Sequence, residues 1–176
     1  MAKKLPMSPD VSYMLGIYRC NSSHRNVCLK TASKELVERF VKIAAMKLGT
    51  SVDAIIITNE GDLTTVELKN SRLKTLLDKA LDERERIFKY KNEYSASYFA
   101  AMFDCNGAAD NRGIFVRGMN AYDKILLERI GFHTATNTGR CYIKKEMDFM
   151  MFIAPFSIKA KLIRQPTKKQ PTNKSS

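Results

Sequence analysis

Apolar residues recur along much of this chain at the spacing of an amphipathic helix. The clearest stretch is 34–48, where apolar side chains fall on one helical face and Gly49 follows as a C-terminal stop. Ser8 and Pro9 favour a helix start at residue 9, because serine caps free amides and proline suits the first turn. We predict helices at residues 9–20, 34–48, 72–88, 93–105, 121–130 and 146–158, the last one bent near Pro155.

Shorter segments between these helices alternate apolar and polar residues as strands do. Strands are predicted at residues 25–30, 54–58, 63–68, 113–117, 132–136 and 140–144. Residues 59–62 and 137–139 are polar and contain glycine, which is typical of hairpin turns. The order helix, strand, helix, two strands, helix therefore occurs twice.

The two series of elements begin with similar sequences. Segment 13–22 aligns with segment 98–107, and tyrosine, cysteine and asparagine occupy the same places in both. The other aligned positions are apolar or small, except that Arg19 stands opposite Asp104. We interpret the chain as an internal duplication.

Each aligned segment carries two small residues one helical turn apart, which places both on one helix face. These residues are Gly16, Cys20, Ala101 and Cys105. We predict that the two helices pack closely at the centre of a pseudo-two-fold monomer; the alternative is two unrelated core helices. The predicted division is a basic N-terminal arm (1–8), a first half (9–90), a second half (91–163) and a basic tail (164–176).

The charge of the chain indicates an anionic partner. Lys and Arg number 30 against 18 Asp and Glu, for a net charge of +12, which is typical of proteins that bind nucleic acid or an acidic membrane surface. No apolar run is long enough to span a membrane. The four cysteines form no C-x-x-C pair, so we expect reduced thiols, no metal site, no cofactor and a cytoplasmic location.

The aligned segments carry a family resemblance. Segment 99–107 resembles a diverged LAGLIDADG motif, and segment 14–22 resembles a more diverged second copy. The resemblance covers almost the whole folded chain and implies an α+β, pseudo-two-fold LAGLIDADG homing-endonuclease-like fold. It implies two αββαββα-type halves whose motif helices form the interface and whose antiparallel sheets make a saddle over nucleic acid.

The resemblance also implies a site at the ends of the motif helices. In the family's nucleases the eighth motif position is an acid in each half, and the pair binds Mg²⁺; here Asn21 and Asn106 stand at those places. Neutral amides supply no charge to hold the cation, so we predict that the chain is not an enzyme. Arg19 and Asp104 occupy the sixth positions, where they either form an ion pair or each face solvent or backbone.

Basic residues on the strands are candidates for nucleic-acid binding. Arg140, Tyr142 and Lys144 alternate onto one strand face, with Cys141 and Ile143 on the other. The remaining candidates flank other strands or lie in the tail: Arg25, Lys30, Arg112, Arg117, Lys168 and Lys169. Any half-exposed sheet also produces such alternation. The first-half hairpin is more acidic, so contact is expected to be stronger in the second half.

We expect a nuclease-dead nucleic-acid-binding protein, with structured RNA slightly favoured over DNA. Basic ends rich in Pro, Gln, Thr and Asn resemble the extensions that order on RNA in ribonucleoprotein particles such as the ribosome. The alternatives are a DNA-binding transcription regulator, a residual metal-dependent site-specific DNA endonuclease, and a protein-interaction module whose basic face meets an acidic partner.

Overall fold

The first helix, α1 (Pro9–Cys20), begins and ends where the sequence predicts. The computed structural model describes residues 5–21 and 26–163. Ser8 caps α1 by accepting the backbone N–H of Val11 at 3.2 Å, and Asn21 ends it with a backbone hydrogen bond to the Tyr18 carbonyl. The helix is therefore defined by its own local chemistry at both ends.

A three-stranded antiparallel sheet follows in the first half. Its elements in chain order are β1 (Val27–Thr31), α2 (Lys34–Met46), a short 3₁₀ turn (Val52–Ala54), β2 (Ile55–Glu60) and β3 (Leu63–Leu68). The strand order is β1-β3-β2, with Val27 and Ile55 both opposite Leu68. Gly61 has a φ of +61°, as the predicted hairpin turn requires.

The predicted helix 72–88 is two helices, α3 (Ser71–Asp82) and α4 (Arg84–Ile87). The chain turns at Glu83, so that Arg84 lies beside the buried Asp123 and Phe88 stacks on Tyr98 with ring centroids 4.4 Å apart. Contacts with the second half therefore override a helical pattern that is continuous in the sequence.

The second half has a four-stranded antiparallel sheet. Its elements in chain order are α5 (Glu93–Asn106), β4 (Gly107–Asp110), β5 (Gly113–Arg117), α6 (Ala121–Arg129), β6 (Thr134–Asn137) and β7 (Arg140–Ile143). The strand order is β4-β5-β7-β6. Strand β4 is not predicted from the sequence, because Gly-Ala-Ala-Asp has little strand propensity of its own and forms a strand only by pairing with β5.

The predicted last helix is also divided, into α7 (Glu146–Ile153) and α8 (Ile158–Ile163). Pro155 lies in the break, and Asp104 binds the start of α8 through Ser157 Oγ and the backbone N–H groups of Ile158 and Lys159. A buried carboxylate thus sets where the second helix begins.

One hydrophobic core joins the two halves. Every residue from Val11 to Tyr18 and from Ser95 to Asp104 is buried, because α1 packs along α5 and each is covered on its other sides by the remaining elements. The predicted α+β architecture with two antiparallel sheets is confirmed. The two sheets differ by one strand, because β4 of the second half has no counterpart among the described residues of the first half. No helix in the described ranges is long and apolar enough to cross a membrane.

Candidate nucleic-acid interface

The two motif helices approach most closely at Gly16. A Cβ atom added there would lie 2.4 Å from the Tyr98 carbonyl oxygen and 2.7 Å from Ala101 Cβ. Only glycine fits this position, since real Cβ atoms essentially never approach backbone so closely. The small residues singled out in the sequence therefore lie where α1 and α5 touch.

Cys20 and Cys105 lie beside each other near the C-terminal ends of the two helices. The hydrogen bond with the Cys20 thiol, together with burial, raises the pKa of the Cys105 thiol well above its ordinary value. Both cysteines are free thiols packed against the hydrophobic core. Both side chains are partly buried and small enough to let the helix ends lie close together.

Asn21 and Asn106 follow these cysteines at the two helix ends. The Asn21 side-chain amide donates to the Ile17 carbonyl at 2.9 Å, so it completes the hydrogen bonding of its own helix. Asn106 is the last residue of α5, and its amide nitrogen lies near Gly118, whose carbonyl accepts from Arg19 at 3.3 Å.

A lysine that the sequence analysis did not single out lies at the end of α5. Lys159 Nζ donates to the Gly107 carbonyl at 3.0 Å and to the Phe103 carbonyl at 3.4 Å. A cation is stabilised at a helix C-terminus, because the free carbonyl groups there carry partial negative charge. Nothing in the local sequence marks this residue, since α8 reaches α5 only through the tertiary fold.

The groups at the helix ends do not suit the divalent cation that the fold resemblance implies. Such a cation prefers charged oxygen ligands, whereas Asn21 and Asn106 present neutral amides and Lys159 adds a positive charge beside them. Within residues 5–21 and 26–163, no group of three or more His, Cys, Asp or Glu side chains could hold a metal ion.

The hypothesis of an ion pair between Arg19 and Asp104 is wrong. Asp104 is buried and accepts hydrogen bonds from Tyr13 OH, from Ser157 Oγ at 2.6 Å, and from two backbone N–H groups of α8. Arg19 instead pairs with Asp123, at 2.9 Å. Arg19 therefore pairs with α6, and Asp104 is bound by Tyr13 of α1 and by the start of α8.

Asp123 is the second fully buried carboxylate. It accepts from Tyr98 OH at 3.1 Å and from the Asn120 backbone N–H at 3.1 Å, and Arg84 Nε lies 3.9 Å away. Burial, followed by the charge of Asp123, raises the pKa of the Tyr98 phenol well above its ordinary value. Tyr13 and Tyr98 are aligned in the repeat: Tyr13 binds the buried Asp104 near the end of α5, and Tyr98 binds the buried Asp123 in the first turn of α6.

The outer face of the second sheet carries two arginines above an aromatic pair. Side chains along a strand point alternately to its two faces. Ile114 and Val116 of β5 belong to the core, so Phe115 and Arg117 lie on the opposite, outer face. The register sets Phe115 against Tyr142 and Arg117 against Arg140. The guanidinium carbons lie 5.5 Å (Arg117) and 4.9 Å (Arg140) from the Phe115 ring centroid.

Asp110 holds one of these arginines in place. Its carboxylate accepts from Arg140 Nη1 at 2.7 Å and from Tyr142 OH at 2.9 Å. The backbone N–H of Arg112 is the largest influence that lowers the pKa of Asp110, with Tyr142 and Arg140 adding to it. Asp110 therefore stays ionised and orients Arg140, but it also neutralises part of the positive charge of this face.

The first sheet offers less positive charge on its outer face. Lys30 is exposed and pairs with Glu60 at 3.3 Å, while Glu67 accepts a hydrogen bond from Asn26. The two acids on this face thus offset the one strand lysine. The outer faces of the described strands therefore carry more positive charge in the second half than in the first.

Of the remaining predicted binding residues, two are exposed near the second sheet and three lie outside the described residues. Arg112 is exposed in the turn between β4 and β5, and Lys144 is exposed just after β7. Arg25, Lys168 and Lys169 lie outside the described residues. Arg117 and Arg140 therefore lie opposite each other in the sheet, Arg112 lies in the turn between β4 and β5, and Lys144 directly follows β7.

Comparisons with known proteins identify the fold. No family model and no curated protein sequence matches this chain. Among solved structures, I-DmoI in complex with DNA and Ca matches with a TM-score of 0.64 at 12% identity, over 88% of this chain and 96% of that one. Mesophilic variants of the homing endonuclease I-DmoI match with a TM-score of 0.63 at 11% identity, over 84% of this chain and 96% of that one.

These matches confirm the predicted LAGLIDADG-like fold and contradict the prediction that the chain is not an enzyme. The prediction that the chain is not an enzyme is contradicted, because the similar structures are of a homing endonuclease, including a variant in complex with its target DNA and Mn. That prediction rested on two side chains, Asn21 and Asn106, whereas the likeness extends over most of both chains. The chain has the fold of a LAGLIDADG homing endonuclease.

Proposed function

We propose that this protein binds double-stranded DNA across the outer faces of its two sheets, with the stronger contact in the second half. The main support is the pair Arg117 and Arg140, which lie together on the outer face of the four-stranded sheet above Phe115. Arginine at such a face can contact phosphates or guanine edges. The net charge of +12 supports the same partner.

The preference for DNA over RNA follows from groove geometry. The major groove of B-DNA admits a two-stranded β-ribbon, whereas the major groove of an A-form RNA duplex is too deep and narrow for side chains to read. The structures with this fold include complexes with DNA, which supports the same choice. The basic tail that favours RNA in the sequence lies outside the described residues.

Binding measurements on matched variants test the proposal. Fluorescence anisotropy would compare duplex DNA, duplex RNA and structured ribosomal RNA fragments over a series of salt concentrations. For DNA, Arg117→Gln with Arg140→Gln should reduce the slope of log affinity against log salt by about two, since each phosphate contact contributes roughly 0.9. Lys42→Gln, an exposed lysine on α2, is the control and should leave the slope nearly unchanged.

The variant Asp110→Asn should change affinity in the opposite direction. Removing this carboxylate leaves Arg140 without its 2.7 Å partner and adds one net positive charge to the face, so non-specific DNA affinity should rise. Equal affinity of the arginine double variant and the control would contradict the proposed face. Tighter binding to either RNA would overturn the choice of DNA.

A second candidate function is cleavage of the bound DNA, which the likeness to a homing endonuclease favours. Supercoiled plasmid and a pool of random duplexes would be incubated with Mg²⁺ or Mn²⁺, and with a chelator as control. Nicked or linear product that forms only with the cation would support this candidate. Intact DNA under conditions of demonstrated binding would count against it.

A further inference from the structure

The central site where the two halves meet carries a fixed ammonium group. Lys159 Nζ is anchored on the carbonyls of Gly107 and Phe103, one of which directly follows Asn106. The backbone of Lys159 is anchored as well, because its N–H donates to Asp104 Oδ1 at 3.0 Å. The lysine is therefore held at both its main chain and its charged end.

The positive charge of Lys159 is not neutralised by a salt bridge to any described carboxylate. Asp104, the acid that binds its backbone, already accepts hydrogen bonds from Tyr13 OH, Ser157 Oγ and two backbone N–H groups. The side chains of Asn21 and Asn106 at the helix ends are neutral amides, and Arg19 in the last turn of α1 pairs with Asp123 at 2.9 Å. The Lys159 ammonium is thus held by backbone carbonyls and has no carboxylate counter-ion among the described residues.

The first half shows the contrast. Lys74 lies beside Tyr18, the residue aligned with Phe103 in the repeat, but its ammonium pairs with Asp78 at 2.7 Å. The Tyr18 hydroxyl donates to the same carboxylate. In the first half Lys74 is therefore paired with a carboxylate, whereas in the second half Lys159 is bound only by backbone carbonyls.

We propose that the Lys159 ammonium contacts a backbone phosphate of bound nucleic acid at the junction of the two halves, where the fold resemblance would place a divalent cation. An ammonium has three N–H donors, and two of them are used by the carbonyls at the end of α5, which leaves one for an anionic oxygen. A compact, strongly hydrated cation is well suited to phosphate. The contact needs no metal, and it holds whether or not the strand is cut.

This proposal rests on the proposed nucleic-acid binding, and its test separates the two. Affinity of the full chain for duplex DNA would be measured over a salt series, with Mg²⁺ and with a chelator. We expect the affinity to be retained in the chelator. Lys159→Gln should reduce the salt slope by about one, and Lys159→Arg should restore it. Lys161→Gln is the control, because Lys161 is exposed on the same helix and faces a groove lined by α1 and α2.

A measurement on the unaltered protein covers the case in which Lys159→Gln fails to fold. Amine acylation followed by mass spectrometry should show Lys159 protected by bound DNA and Lys161 not protected. If the wild type does not bind DNA, the proposed function fails. If it binds but Lys159 and Lys161 behave alike in slope and in protection, or if the chelator abolishes binding, the phosphate contact is overturned.

Discussion

Two buried carboxylates, Asp104 and Asp123, are neutralised in different ways. Asp104 is bound by hydroxyl and backbone N–H donors, whereas Asp123 also has a cationic partner, Arg19, at 2.9 Å. Burying a carboxylate is costly unless its oxygens accept several hydrogen bonds. The hydroxyl of Tyr13 is therefore a stabilising donor rather than an incidental one.

Tyr13→Phe should lower the free energy of unfolding by about 1–3 kcal/mol, because a buried carboxylate loses a donor while the ring packing is kept. Urea unfolding followed by circular dichroism would measure it. Tyr142→Phe is the matched control: its hydroxyl also donates to an aspartate, but Asp110 is partly exposed, so the loss should stay below about 1 kcal/mol. Equal losses in both variants would contradict the role given to Asp104.

We also expect the free energy of unfolding to depend on pH through the ionisation of Tyr13. Burial, then the Asp104 charge, raises the pKa of the Tyr13 phenol above its unfolded value of about 10. The contribution to stability is therefore complete below about pH 10 and is lost as pH rises further, because the unfolded chain releases the proton more readily. Tyr13→Phe should lose less stability than the wild type between neutral and strongly alkaline pH.

At the scale of elements, the contact between α1 and α5 depends on a glycine in the middle of a helix. In an exposed helix, alanine in place of glycine stabilises by about 1 kcal/mol. At Gly16 the added Cβ would meet the Tyr98 carbonyl oxygen and Ala101 Cβ. Tertiary packing and helix propensity therefore oppose each other at this one position.

Gly16→Ala should destabilise the protein by about 1–3 kcal/mol or more, because helix backbones must separate to admit the methyl group. Thermal unfolding would measure the change. Adding Ala101→Gly should recover only part of the loss, since it removes the 2.7 Å overlap and leaves the 2.4 Å overlap with backbone. A stabilised Gly16→Ala variant would mean that the helices are not packed as described.

At the scale of the whole molecule, neither motif helix has a free face. Val11–Tyr18 and Ser95–Asp104 are buried throughout, and the core cluster includes residues of both halves. A half expressed alone would expose one side of its motif helix. Small domains bury a smaller share of their surface and are only marginally stable, so we expect each half to need the other in order to stay folded.

Cutting the chain between residues 90 and 91 tests this dependence. We expect each fragment alone to lack cooperative thermal unfolding and to bind a hydrophobic dye. Mixing or co-expressing the fragments should restore cooperative unfolding, because the α1–α5 contact is regained without a covalent link. Cooperative unfolding of either isolated fragment would contradict a shared core.

Spacing and periodicity in the sequence were enough to predict most helices and strands, and the motif resemblance predicted the LAGLIDADG-like fold. The capped start of α1, the apolar face of α2 and the small residues at Gly16 and Ala101 all depend on spacing along the chain, which periodicity reveals. Strand β4 and the break before α4 were not predicted, because pairing with β5 and contacts with the second half set them. A bend near Pro155 was predicted, but not the separate helix α8, whose start is set by the buried Asp104.

Which charged residues contact one another depends on the three-dimensional fold. Arg19 pairs with Asp123, Arg140 with Asp110, and Lys159 Nζ binds carbonyls at the end of α5, all between elements that lie apart in the sequence. Such contacts leave no periodic signal, because a charged side chain looks the same in the sequence whether it is paired or exposed. The paired asparagines were visible from the motif, but the ammonium beside one of them came from the folding of α8 onto α5.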